Sequence, residues 1–339
     1  MSALSEEGKN CVTVTRLHWK NHSKDQEIDA EEISGSVQLF CHSAAKYSSG
    51  IILVIQVPLL HFTIQDGMHE PFENTVRSVL EKIQKVIADL STVITIKLIQ
   101  LTYWGEFVPA LNAALTATCA SFPDSKVILF QSLEVRCDSR AVACLFDHFE
   151  LEEDLVIGCV LPGHKYTKLD IGVFVPLDGC TSPWNTFAMW NLRLLSKIGF
   201  PLICEGIGTD TSTAGVEEVA TITLFQTLFP LQSKAKLLEL PEAAFKWNTE
   251  QWADEKRQKW HDEKMRRKIW RAERQLERFG LVTKGKVLHL PPFTVTPQPD
   301  EIAIRGVKSQ RQKQNPILIQ YYICVLNETY AVGILCRKA

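Results

Sequence analysis

Residues 51–57 read Ile-Ile-Leu-Val-Ile-Gln-Val. A β-branched run of this length predicts a strand that is buried on both faces of a sheet. Apolar residues at helical spacing follow over 70–90, and a second strand-like run covers 93–101. Because strands that alternate with helices of this length are joined by crossover connections, this part of the chain predicts a largely parallel sheet.

The same alternation continues beyond residue 101. Helical patterns cover 104–119 and 139–149, and strand-like runs cover 126–133 and 154–161. In such an arrangement each helix packs on one face of the sheet and connects two strands by a right-handed crossover. The predicted fold class is therefore α/β, with a mostly parallel twisted sheet and helices on both of its faces.

The second half of the chain has a less regular pattern. Helices are predicted over 185–198 and 216–229, with a short strand over 201–204 between them. A long charged helix is predicted over 249–279, and Gly280 is a suitable residue to end it.

Both ends of the chain carry strand patterns. Strands are predicted over 12–19 and 36–41 and, as a hairpin, over 316–326 and 329–335. The patterns predict three regions, which are an N-terminal β-rich segment (1–46), a main α/β domain (47–290), and a linker with a C-terminal β-hairpin that packs on the main domain (291–339).

Composition and charge exclude several classes of protein. The chain has 339 residues, of which 45% are hydrophobic and 22% charged, as in an ordinary globular protein. A formal net charge of −2 gives no overall attraction to nucleic acid or to a membrane surface. The ten cysteines form no CxxC pair, which argues against a zinc knuckle and favours a reducing compartment. The longest apolar run, 51–60, is far shorter than the roughly 20 residues of a membrane span, so we expect no span and a cytoplasmic location.

An acidic pair, Glu217-Glu218, opens the helix predicted over 216–229. Carboxylates in a first helical turn interact favourably with the helix dipole, so the pair can be a simple helix start. A carboxylate at a loop-to-helix junction can also be a catalytic base. On a helix Glu218 shares a face with the apolar Ile222 and Phe225, which predicts that Glu218 is desolvated with a raised pKa and that Glu217 is a surface cap.

Three strand ends are candidate ligand sites, because ligands of open parallel sheets bind beyond the carboxyl ends of the strands. The first predicted strand ends at Val57-Pro58, the second at Tyr103–Glu106, and the third at Gln131–Val135.

The order of these motifs resembles that of nucleotide-diphospho-sugar transferases with the GT-A fold, particularly the inverting enzymes of family 2 type. The resemblance covers about residues 50–230, and it depends on order and spacing. Val57-Pro58 and the helix from Asn74 to Leu80 match its first strand and helix. Gly105 with Asn112, Ser132-Leu133-Glu134 and Gly215–Glu218 match its next three motifs.

The resemblance implies a nucleotide-sugar substrate and transfer of the sugar to an acceptor hydroxyl, with Glu218 or Glu217 as the base. It implies that Glu134 holds Mn²⁺ or Mg²⁺ on the donor diphosphate, where the family has Asp-x-Asp. The implied donor-binding residues are Pro58, Trp104, Gly105, Asn112, Ser132, Glu134, Trp184 and Asn185. Candidates for neutralising the diphosphate are Arg136, Arg140, His164 and Lys165. The acceptor and the oligomeric state stay open.

The sequence departs from the family at the metal position, because Ser132-Leu133-Glu134 has one carboxylate where the family has two. This departure leaves two alternatives open, which are a protein that uses no metal and a relative that binds a nucleotide or a protein partner but has lost transfer activity.

Three further residues have two interpretations each. Trp104 can stack on a nucleotide base or close the end of a strand. Trp184, Phe187 and Trp190 have helical spacing, so Trp184 can form a wall for a sugar or pack in the core. Asn185 can be a helix N-cap or an amide that binds a hydroxyl.

The charged helix offers a third function. Residues 246–278 contain eleven Lys and Arg against seven Asp and Glu, with four interspersed tryptophans. Aromatic and basic residues together can bind RNA. Because the acidic residues are mixed with the basic ones, the pattern favours a helix that packs by its tryptophans, and nucleic acid is not the expected partner.

Overall fold

The computed structural model describes residues 10–19, 29–57, 70–247, 255–281 and 284–292. Pro58, the residues from 293 onward and the hairpin predicted over 316–335 lie outside these ranges, so their predicted roles stay predictions. No helix in the described ranges is long and apolar enough to cross a membrane.

The described chain forms one large sheet and a small two-stranded one. The strands are β1 (Cys11–Leu17), β2 (Gly50–Gln56), β3 (Thr95–Leu101), β4 (Val127–Gln131), β5 (Val135–Cys137), β6 (Asp154–Cys159), β7 (Phe174–Pro176), β8 (Phe187–Asn191), β9 (Lys234–Leu238), β10 (Phe245–Trp247) and β11 (Lys286–His289). The large sheet has nine strands in the order β3-β2-β1-β4-β8-β6-β9-β11-β7, and β10 pairs with β5.

Most neighbouring strands of the large sheet are parallel. β3, β2, β1 and β4 run in one direction, and so do β6, β9 and β11. β8 lies antiparallel between β4 and β6, and β7 is antiparallel to β11 at the edge. The predicted mostly parallel α/β class is confirmed.

Helices cover both faces of the sheet. They are α1 (Ala30–Ala44), α2 (Glu70–Leu90), α3 (Val108–Ser121), α4 (Ser139–Asp147), α5 (Leu192–Leu195), α6 (Glu217–Leu228) and α7 (Glu255–Phe279). Strand side chains alternate between two cores, as β2 shows: Ile51, Leu53 and Ile55 join one core, and Ile52 and Val54 join the other. The first core contains α1, α2 and α4, and the second contains α3, α6 and α7.

The prediction of a strand over 36–41 is wrong, because these residues belong to α1. The Asp29 side chain caps this helix by accepting hydrogen bonds from two backbone N–H groups of its first turn. The buried residues Val37, Phe40 and Ala44 then have helical spacing. β1 lies between β2 and β4 in the large sheet and does not belong to a separate N-terminal unit.

The prediction of a helix over 185–198 is also wrong. Residues 187–191 form β8, and only Leu192–Leu195 are helical. All five residues of β8 are buried between two neighbouring strands, so pairing and burial outweigh the apparent helical spacing of Trp184, Phe187 and Trp190. The strand predicted over 201–204 is a 3₁₀ turn.

Candidate active site

The carboxyl edge of the sheet brings several of the predicted site residues together. β1 ends next to Arg16, and β4 ends at Gln131, just before the turn that contains Glu134. Because β8 is antiparallel, it begins at this same edge, where Phe187 is paired with Gln131. The Ser132 N–H donates to the Thr186 carbonyl at 2.9 Å, which holds the β4 turn beside the segment before β8.

The acidic pair lies at this edge, at the start of α6. Glu217 and Glu218 are 7% and 6% exposed, so the expectation that Glu217 is a surface cap is wrong. The backbone N–H of Asn185 donates to Glu218 Oε1 at 2.6 Å, and the Asn185 side-chain amide lies 3.4 Å from Glu217 Oε1. Both carboxylates are therefore bound to the segment that precedes β8.

Burial and, to a smaller extent, the negative charge of Glu217 raise the pKa of Glu218 to about 7, while the charge of Lys268 acts in the opposite direction. The predicted desolvation of Glu218 is confirmed. A carboxyl group with a pKa near 7 changes its protonation state near neutral pH, as a general base does. The catalytic role of Glu218 stays a prediction.

The backbone before the acidic pair is strained. Val216 has a φ of 52°, and it is the single non-glycine residue with a positive φ in the described part of the chain. A β-branched residue rarely adopts this conformation, so the surrounding structure has to enforce it. Gln275 of α7 provides that constraint, because its amide donates to the carbonyls of Thr213 and Gly215 at 2.7 Å each.

Arg16 is a site residue that the sequence alone does not reveal. Its guanidinium is mostly buried at the end of β1, and Nη1 lies 4.0 Å from Glu217 Oε1. Burial lowers the pKa of Arg16, whereas the charges of Glu217, Glu218 and Glu134 raise it. A single arginine in a strand pattern gives no functional signal, because its ion pair with Glu217 depends on the fold.

Asn185 connects the acidic pair to the core. Its side-chain oxygen accepts a hydrogen bond from the Trp190 indole N–H at 2.9 Å, and its carbonyl lies 3.5 Å from Arg16 Nη2. Since no helix begins here, Asn185 is not an N-cap. Its groups position Arg16, Glu217 and Glu218 relative to one another.

The Trp184 ring is not open to a ligand. The His164 ring stacks on it at 3.7 Å between centroids, and the Lys268 Nζ lies 3.1 Å from the ring centroid. These two groups are too close to the ring to share one face, so both faces are covered. The indole N–H donates to the Gly179 carbonyl at 2.9 Å, and the ring is buried, which agrees with the core interpretation.

Three other donor-binding candidates have structural contacts. Trp104 is buried beside the His18 ring, as expected of a residue that closes a strand end. Asn112 forms two hydrogen bonds with the backbone of Phe200. Gly105 has a φ of 61°, and a Cβ at this position would overlap the Glu205 carboxylate.

Glu205 occupies the N-terminus of α3. Its carboxylate accepts hydrogen bonds from the backbone N–H groups of Glu106, Phe107 and Val108 at 2.5 to 2.8 Å. The Phe107 and Val108 donors are among those that a helix leaves without intrahelical partners, and the helix dipole favours a negative charge there.

We expect Glu205→Ala to lower the free energy of unfolding by about 2 kcal/mol, because it removes hydrogen bonds to a charged group. Glu205→Gln keeps an acceptor oxygen and should cost less. Urea denaturation of the two variants measures both losses. Equal losses for alanine and glutamine would contradict the role of the carboxylate as a cap.

The described residues do not fit a magnesium or manganese site. Glu134 is exposed in the turn after β4, and no group of three or more His, Cys, Asp or Glu in the described ranges could hold a metal ion. Divalent cations need several oxygen ligands, so Glu134 alone makes a poor site. The metal role of Glu134 stays a prediction.

The cations proposed from the sequence differ in what they contact. Arg140 is exposed and binds the Asp138 side chain, and Lys165 lies 3.6 Å from Asp178. Burial lowers the pKa of His164 to about 3, so His164 is neutral near pH 7. Arg16 and Lys268 are the cations whose charges act on the acidic pair.

The chain is an α/β protein with a buried acidic pair beside an arginine at the carboxyl edge of its sheet, which is the position where such sheets bind ligands.

No protein-family model matches the chain, and no curated protein matches it. Among solved structures, the chain is similar to 4-diphosphocytidyl-2C-methyl-D-erythritol synthase from Anaerococcus prevotii, with a TM-score of 0.36 and 16% identity over 69% of this chain and 88% of that chain. It is also similar to residues 1–349 of TarS from S. aureus, with a TM-score of 0.34 and 13% identity over 62% of this chain and 54% of that chain. Similarities at this level support no functional conclusion.

Proposed function

We propose that this protein is a nucleotide-sugar-dependent transferase in which Glu218 is the base that takes the proton from an acceptor hydroxyl. The observation that carries the proposal is the burial of Glu218 at the carboxyl edge of the sheet, which raises the pKa of this carboxyl group to about 7. A base works best when its pKa lies near the working pH. The family resemblance over residues 50–230 supplies the class of substrate.

The neighbours of Glu218 suit this role. Glu217 disfavours a second negative charge nearby, so it helps to keep the Glu218 pKa high. The Asn185 N–H holds one oxygen of Glu218 at 2.6 Å and fixes the orientation of the carboxyl group. Arg16 and Lys268 bring positive charge to the same edge, where the charge of a departing diphosphate would develop.

Activity is tested by incubating the full chain with UDP-, GDP- and ADP-sugars and measuring the release of the nucleoside diphosphate. Glu218→Gln should reduce release by about 10² to 10⁴-fold, because glutamine cannot accept the proton. In the wild type, release should increase as the pH rises through about 7, where Glu218 loses its proton. Exposed Glu152, on the opposite edge of the sheet, gives the matched control Glu152→Gln, which should leave release unchanged.

The same substitution gives a prediction about stability. The folded state holds the Glu218 proton up to about pH 7, whereas an ordinary Glu releases it near 4.5, so the wild-type stability falls as the pH rises between these values. We expect Glu218 to contribute about 3 kcal/mol to this fall. Glu218→Gln should remove that part of the pH dependence in urea denaturation at pH 4.5 and pH 8. An unchanged pH profile in the variant would show that Glu218 titrates normally.

The second candidate is a relative that binds a nucleotide without transferring sugar. It is favoured by the exposed single carboxylate at Glu134 and by the nearly complete burial of the acidic pair. Nucleotide binding without release from any of the sugar donors would support it and exclude the transferase. RNA binding has less support, because two of the basic residues of α7 are paired with acidic residues of the same helix, Arg267 with Glu263 and Arg274 with Glu277.

A further inference from the structure

Arg16 has hydrogen-bonding capacity that the described part of the chain does not use. Nη1 is buried and makes no hydrogen bond within the described part of the chain. Its distance of 4.0 Å from Glu217 Oε1 is too long for a hydrogen bond. A buried guanidinium N–H without a hydrogen-bond acceptor raises the free energy of the folded state. Nη1 is therefore suited to donate a hydrogen bond to an acceptor atom of a ligand.

Arg16 brings a buried positive charge to the carboxyl edge of the sheet. It lies at the end of β1, and the charges of Glu134, Glu217 and Glu218 all act on it. The positive charge at this edge belongs to a side chain, whose Nη1 lies 4.0 Å from Glu217 Oε1. The Phe107 and Phe130 rings, each 6.0 Å from the guanidinium carbon, help to fix its position.

We propose that the site takes the diphosphate of a nucleoside diphosphate without a divalent cation, with Arg16 providing the positive charge that a metal ion would otherwise provide. Guanidinium groups bind phosphate oxygens through paired N–H donors, which an ammonium group cannot reproduce. Lys268, whose charge also acts on Glu218, is a second cation on the same side. The inference rests on the proposed function, because it concerns the same donor.

The test is calorimetric titration of the full chain with UDP, GDP and ADP, each in EDTA and in manganese chloride. We expect at least one nucleotide to bind with the same Kd, within about twofold, in both buffers. Arg16→Lys should weaken that binding by about tenfold or more, because it keeps the charge and removes the paired donors. Arg193→Lys is the matched control, since Arg193 pairs with exposed Glu152 at the opposite edge of the sheet, and its Kd should not change.

Each other result overturns the inference in a distinguishable way. Binding that appears only with manganese would refute metal independence and leave the proposed function intact. Metal-free binding that Arg16→Lys does not change would refute the role of Arg16. Failure of all three nucleotides in both buffers would refute the proposed function as well. If Arg16→Lys unfolds, the double variant Arg16→Gln/Glu217→Gln removes both charges of the pair and should show the same loss of binding.

Discussion

Arg16→Met is expected to lower the free energy of unfolding by about 3–5 kcal/mol, which is the usual cost of removing one partner from a buried ion pair. Arg16 is only 15% exposed, and Glu217 beside it is buried as well. Without the guanidinium, the negative charge of Glu217 would face Glu218 with less compensation. Methionine matches the aliphatic part of the arginine side chain but removes the guanidinium, whose Cζ lies 6.0 Å from the Phe107 and Phe130 rings, so the loss combines the charge with these ring contacts.

The double variant Arg16→Met/Glu217→Gln separates charge from packing. If the cost of Arg16→Met comes from the uncompensated carboxylate, then adding Glu217→Gln should recover a large part of it. Urea denaturation of the wild type, the two single variants and the double variant measures this coupling. Additive losses would show that Arg16 stabilises the fold through contacts other than its charge pair with Glu217.

Lys236→Met is the second substitution for which we expect a loss of about 3–5 kcal/mol. The Lys236 Nζ lies 2.6 Å from Asp154 Oδ2, and both side chains are buried between β6 and β9. The lysine also donates to the His148 carbonyl at 2.9 Å. Its removal would leave Asp154 charged in the core, with the Glu150 N–H as its remaining hydrogen-bond donor in the described chain.

The pH dependence of this loss identifies its cause. Burial raises the pKa of Asp154 even with Lys236 in place, and removing the lysine should raise it further. Because a protonated Asp154 needs no counter-charge, the loss should shrink as the pH falls. Lys234→Met is the control on the same strand. Lys234 pairs with Glu153 on the surface, so it should cost less than about 1 kcal/mol at any pH. A pH-independent loss in Lys236→Met would point to lost packing.

The sequence predicts the parallel half of the sheet well, because each of those strands is decided by its own residues. β2 is a β-branched run, and its burial on both faces agrees with that pattern. β8 could not be predicted in this way. Its position between β4 and β6 is a property of the whole sheet, and the spacing of Trp184, Phe187 and Trp190 fits a helix equally well.

The residues of the candidate site could also be predicted only in part from the sequence. The burial of Glu218 follows from its apolar helical neighbours, which are local in sequence. Arg16 contacts Glu217 across about two hundred residues of chain, and the Lys268 and His164 groups on either side of Trp184 come from separate elements. Contacts of this kind are set by topology, so a single sequence does not reveal them.

The bonds from Gln275 to Thr213 and Gly215 have a consequence for the order in which the protein matures. On a ribosome the residues around the acidic pair are made well before α7. Until α7 is complete and docked, the strained backbone at Val216 lacks the side chain that holds it. The acidic pair therefore reaches its final geometry late in biosynthesis, and a nascent chain that stops before α7 lacks both β11 and the finished site.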